Sequence, residues 1–84
     1  MDVADIQQLI EAGISGAEVH VAGGGDRFDI SVITDSFAGQ SPVKRQQVVY
    51  ACIKHLLDAG QIHAVNMQTY TRDQWQTAAR RGLI

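Results

Sequence analysis

The sequence predicts an α/β (α+β) domain in the order α-β-β-α-β-α, a three-stranded mixed sheet with helices packed on one face. Three observations predict it. Residues 17–22 and 28–34 each alternate apolar with polar side chains, and Gly23-Gly24-Gly25-Asp26 divides them, as in an antiparallel hairpin. A third alternating stretch is centred on Val65-Asn66-Met67-Gln68 and follows a long helical pattern. A strand that returns after a helical crossover can pair parallel to a hairpin strand.

Each element has its own signal. Asp2 can cap a first helix in which Val3, Ile6, Leu9 and Ile10 recur at helical spacing, with Gly13 stopping it near Ala12. In the hairpin, Val19 and Val21 share one face of the first strand, with Glu18 and His20 on the other. Phe28, Ile30 and Val32 point inward from the second strand. Phe37 is expected to anchor the connector that follows. Ser41-Pro42 is a helix start, a capping hydroxyl before proline at the first helical position. The long helix is expected to reach Ala59 with Val49, Cys52, Ile53, Leu56 and Leu57 on its core face and Gly60 as its stop. Gln46-Gln47 interrupts that stripe, which leaves open a one-turn helix before a longer one. Thr71-Arg72-Asp73-Gln74 is a capping box, and Tyr70 and Trp75 are placed as its hydrophobic staple. Gly82-Leu83-Ile84 reads as a loosely docked end.

Eighty-four residues imply one domain. A chain of this length buries only ~60% of its unfolded surface, so no deep catalytic cleft is expected. With 45% hydrophobic and 19% charged residues, the balance is that of an ordinary soluble domain. Cys52 is the sole cysteine, so no internal disulfide can form, which fits a reducing compartment. No apolar run approaches a membrane span, and the acidic start lacks the features of a secretory signal. A cytoplasmic location is therefore expected. Charge divides along the chain. Residues 1–40 carry seven acids against Arg27, a net of -6, and residues 41–84 carry six bases against Asp58 and Asp73, a net of +4. An anionic partner, if there is one, would meet the second half.

His63 is the most chemically useful residue. At a strand end just past a helix stop, its ring could donate one N–H to a carbonyl and offer the other nitrogen to a metal or a proton. The competing reading, favoured by spacing alone, is a partly buried histidine satisfied by those carbonyls. Lys44 and Arg45, in the first turn of the long helix, oppose its dipole and would fit an anion- or nucleic-acid-binding patch with Arg72; tolerated surface charge is the equal alternative. Cys52 reads as a small buried hydrophobe, and His20 and His55 as surface residues. Gly13-Ile14-Ser15-Gly16 spells GxxG, but between a helix and a strand, not the two helices of a KH loop. No nucleophile–base pair or phosphate loop is present, and the chain is not expected to be an enzyme.

Together, Glu18-Val19-His20-Val21, Phe37-Ala38-Gly39-Gln40-Ser41, Val43-Lys44-Arg45-Gln46-Gln47-Val48-Val49-Tyr50, Ile62-His63-Ala64-Val65, Thr69-Tyr70-Thr71 and Trp75 make the sequence resemble the BolA family, in its short bacterial, IbaG-like branch. The resemblance covers nearly the whole chain and implies a KH-like fold without GxxG in its usual place. It further implies partnership with a monothiol glutaredoxin and a shared [2Fe-2S] cluster, completed by glutathione and a glutaredoxin cysteine, with no cofactor in the isolated protein. His63 matches the family's cluster ligand. Many members offer a second Cys or His in the first hairpin loop; here residues 23–28 hold neither. Some members are DNA-binding transcriptional regulators, which makes DNA the alternative partner. Self-association as a homodimer is left open.

Overall fold

In the computed structural model, which describes residues 2–83, α1 (Val3–Gly13) is followed by β1 (Glu18–Gly24), β2 (Arg27–Ile33), a single 3-10 turn (Asp35–Phe37), α2 (Pro42–Asp58), β3 (Ala64–Tyr70) and α3 (Arg72–Arg80). The sheet order is β1-β2-β3, with β1 antiparallel and β3 parallel to β2. The predicted order and the mixed sheet are both present.

Local chemistry explains the boundaries. Asp2 and Asp5 close a reciprocal capping box on α1, and Ser41 accepts the Lys44 N–H ahead of α2. The hairpin turns on two residues. Gly25 takes the positive φ of 66° needed at the first turn position, and among the described residues no non-glycine residue has positive φ. At the end of α2, Gly60 lies at φ 72°, its N–H bonds to the Leu57 carbonyl, and the Gln61 N–H reaches Leu56. This is a Schellman closure. The same pair of bonds recurs at Gly82 and Leu83, so this end is capped more firmly than its composition suggests, although the Leu83 side chain is exposed. Ile84 lies outside the described residues. The interruption at Gln46-Gln47 does not break α2.

Register places one residue set inward. Val19 faces Val32 and Val21 faces Ile30 across the hairpin; Phe28, Ile30 and Val32 face Val65, Met67 and Thr69 across the parallel pair. All of these but Thr69 meet Ile6 and Ile10 of α1, Val49, Ile53 and Leu56 of α2, and Phe37, which are buried. Each such burial contributes about 1.5–3 kcal/mol over exposure. Ile14 and Ile62, residues outside regular elements, also belong to this core. Gly13 does not stop α1 near Ala12 but remains inside it. A Cβ there would stand 2.5 Å from Cys52 Sγ, so the missing side chain lets α1 and α2 approach.

α3 leaves this layer in part. Trp75 stacks on His20 with ring centroids 5.2 Å apart and meets Tyr70 edge-on at 5.1 Å. His20 lies between Val19 and Val21 and therefore points away from the core. Trp75 thus reaches the opposite face of the sheet at one end.

Candidate functional site

The Schellman closure of α2 turns the chain sharply, and Ile62, only 1% exposed, plugs into the core directly after it. The next residue is thereby directed outward. His63 is exposed and precedes β3, which begins at Ala64. Its backbone N–H donates to the Asp26 carbonyl at 2.8 Å, and the Ala64 N–H donates to the same oxygen at 3.1 Å. Asp26 closes the β1–β2 turn, so the glycine-rich hairpin tip and His63 share one end of the sheet.

Among the described residues, no hydrogen-bond partner engages the His63 ring. The expected carbonyl contact is absent, and so is the burial on which the structural alternative depends. The ring edge comes within van der Waals reach of Gly60, where a Cβ would lie 3.9 Å from His63 Cε1. The result is an exposed imidazole on an anchored backbone, with no hydrogen-bond partner on its ring among the described residues. No group of three or more His, Cys, Asp or Glu side chains among the described residues is arranged to hold a metal. An exposed imidazole of this kind can act as one ligand to a metal.

The predicted anion patch requires correction. Lys44 is exposed, as expected, but Arg45 is only 9% exposed. Its Nε donates to the Gln40 carbonyl at 3.1 Å, one terminal nitrogen donates to Gln74 Oε1 at 2.8 Å, and the guanidinium lies 5.7 Å from the Phe37 ring centre. The long side chain follows the surface of α2 into the gap beside α3 and does not project with Lys44. Arg72 is held elsewhere: Asp35 accepts its backbone N–H at 3.0 Å and faces its Nε at 3.9 Å. Lys44, Arg45 and Arg72 consequently do not form one exposed basic face.

Two further readings change. His20 is organised as well as exposed, since Nε2 lies 2.6 Å from Glu18 Oε2 while the ring stacks on Trp75. The available signal was its place on the same face as Glu18, two residues away. Cys52 is partly buried against α1, its thiol donates weakly to the Val48 carbonyl, and burial pushes its pKa up. His55 is exposed in the last turn of α2, as expected.

The model of the BolA-like protein family matches residues 10–74, and the chain belongs to that family. It is similar to the acid stress protein IbaG of Escherichia coli K12, with 36% identity over 75 residues, 89% of each chain. Among solved structures, a bolA protein homologue from Coxiella burnetii superposes with a TM-score of 0.80 at 32% identity, covering 90% of this chain and 97% of that one. The BolA domain of SufE1 from Arabidopsis thaliana gives 0.71 at 26% identity, covering 84% and 92%. No helix among the described residues is long and apolar enough to cross a membrane.

Proposed function

We propose that this chain is a non-enzymatic adaptor that pairs with a monothiol glutaredoxin and shares a [2Fe-2S] cluster with it in iron-sulfur trafficking or iron and stress regulation. His63 supplies one ligand to iron; glutathione and a glutaredoxin cysteine, as the family resemblance implies, supply others. The observation that carries this reading is the exposed, unpartnered His63 ring on a backbone pinned to Asp26. An imidazole replacing a thiolate makes a cluster less negative and raises its potential. The hairpin tip beside His63 has no Cys or His, so the shared site is exchange-prone, suited to transfer.

The test is reconstitution of the complex with wild-type protein and with His63→Ala, followed by visible circular dichroism. The spectrum of the mixed complex is expected to disappear with His63→Ala and to persist with His20→Ala and His55→Ala. An unchanged spectrum for His63→Ala removes the ligand assignment.

A further inference from the structure

The Arg45 side chain is nine-tenths buried, yet its guanidinium has no counter-charge. Among the described residues no carboxylate lies within ion-pair distance of it. Its two acceptors, the Gln40 carbonyl and Gln74 Oε1, are neutral. The Phe37 ring contributes only a partial cation–π contact at 5.7 Å. Holding a cation largely out of water on neutral partners costs free energy, and an anion at its remaining exposed nitrogen offsets part of that cost.

Space for an anion adjoins it. Arg45 lines an open groove of about 570 Å³ between the start of α2, the second half of β3 and α3. Met67, Pro42, Ala78 and Leu83 give the groove apolar surface, and Arg81 adds a second cation. One terminal nitrogen of Arg45, Nη2, has no protein acceptor. The other two nitrogens are held by Gln40 and Gln74, so the planar donor group is fixed before a ligand arrives, which reduces the ordering cost of binding.

From this arrangement we infer that the groove is a binding site for a small amphipathic monocarboxylate, its head on Arg45 and its short apolar body against Met67 and Ala78. Charge selects the head group. Asp73 also lines the groove and disfavours a dianion, so a carboxylate fits better than a phosphate monoester. The site lies toward the Tyr70 end of β3, whereas His63 precedes its Ala64 end, so it does not depend on the cluster proposal.

The experiment is a titration of the intact protein, followed by nitrogen–proton correlation spectra that include the arginine Nε–H groups. The probes are sodium hexanoate, sodium acetate, hexyl phosphate and sodium chloride at matched ionic strength. Hexanoate is expected to give saturable shifts at Arg45 Nε–H and at the Gln74 and Met67 amides, with a dissociation constant on the order of millimolar. It should bind at least about tenfold more tightly than acetate, because its added methylenes leave water. Arg45→Lys, which keeps the charge and loses the planar fork, should weaken hexanoate by about tenfold or more. Because Arg45 also ties α2 to α3, a variant that leaves it in place is included. Thr77→Phe, from an exposed position on the groove wall, should abolish the hexanoate shifts while the Arg45 Nε–H signal stays dispersed. Hexanoate shifts no larger than those from chloride overturn the inference. So does hexanoate binding unchanged by Thr77→Phe, and tighter binding of hexyl phosphate overturns the carboxylate assignment.

Discussion

The carbonyl of Asp26 accepts the backbone N–H of His63 at 2.8 Å, so the residue that closes the first hairpin also fixes the start of the segment leading into β3. The position of His63 therefore depends on the hairpin geometry. Gly23 is where that geometry is most demanding. Its φ is 117°, and a Cβ there would collide with the Arg27 carbonyl oxygen. Gly23→Ala is expected to destabilise the fold by about 2–3 kcal/mol through backbone strain and this clash. Gly24 has an ordinary φ and open space around it, so Gly24→Ala should stay within about 0.5 kcal/mol. Urea unfolding of the two variants distinguishes them; equal midpoints would show that the hairpin tip relaxes freely.

Much of this architecture was legible because its signals are local. The Asp2 cap, the Thr71 capping box, the Ser41-Pro42 start, Gly60 and the alternating strands each act within a few residues, and register carried the inward faces into the core. Arg45 was misplaced because its partner, Gln74, is 29 positions away and already serves the α3 cap by accepting the Thr71 N–H at 2.9 Å. A cation in a first helical turn gives no sign of such a partner. The Trp75–His20 stack was hidden for the same reason: it joins the last helix to the first strand. The exposure of His63 depended on the burial of Ile62, a residue whose side chain would otherwise continue the strand alternation.

Gly13 and Cys52 can be tested as a contact pair. With a Cβ at 2.5 Å from Sγ, Gly13→Ala is expected to cost about 1–3 kcal/mol by overpacking. In a Cys52→Ala background the clash is removed. The same substitution should then be neutral or stabilising by up to about 1 kcal/mol, since alanine favours helix over glycine. A double-mutant cycle from denaturant unfolding gives the coupling directly, and additive costs would show that the helices separate without strain.

Burial raises the Cys52 pKa, and the sign of its effect on stability follows. The folded state holds the thiol proton more tightly than the unfolded state does. Its contribution is fully present below the unfolded thiol pKa and is lost as pH rises through the higher folded value. Wild-type stability should therefore fall more steeply above the ordinary thiol range than that of Cys52→Ala. At neutral pH the native thiol should react with a disulfide reagent far more slowly than the unfolded chain, because little thiolate is present. Reaction at the rate of an unfolded thiol would show that the α1–α2 contact opens readily.

Trp75 is the sole tryptophan and bridges Tyr70, beside its own cap, to His20 across the sheet. Trp75→Ala should cost about 3 kcal/mol, somewhat at the low end for a large aromatic because the ring is only half-buried. His20→Ala removes one stacked face and should cost about 0.5–1.5 kcal/mol. The two losses should not add, because each variant removes the same stack. Glu18→Gln keeps a polar contact to the His20 ring at exposed positions, so its cost should stay within about 1 kcal/mol. Tryptophan fluorescence provides an independent reading: His20→Ala should shift the emission of Trp75 while far-ultraviolet dichroism is unchanged. Unaltered emission, with fully additive unfolding costs, would mean that the His20 stack plays no part in docking α3.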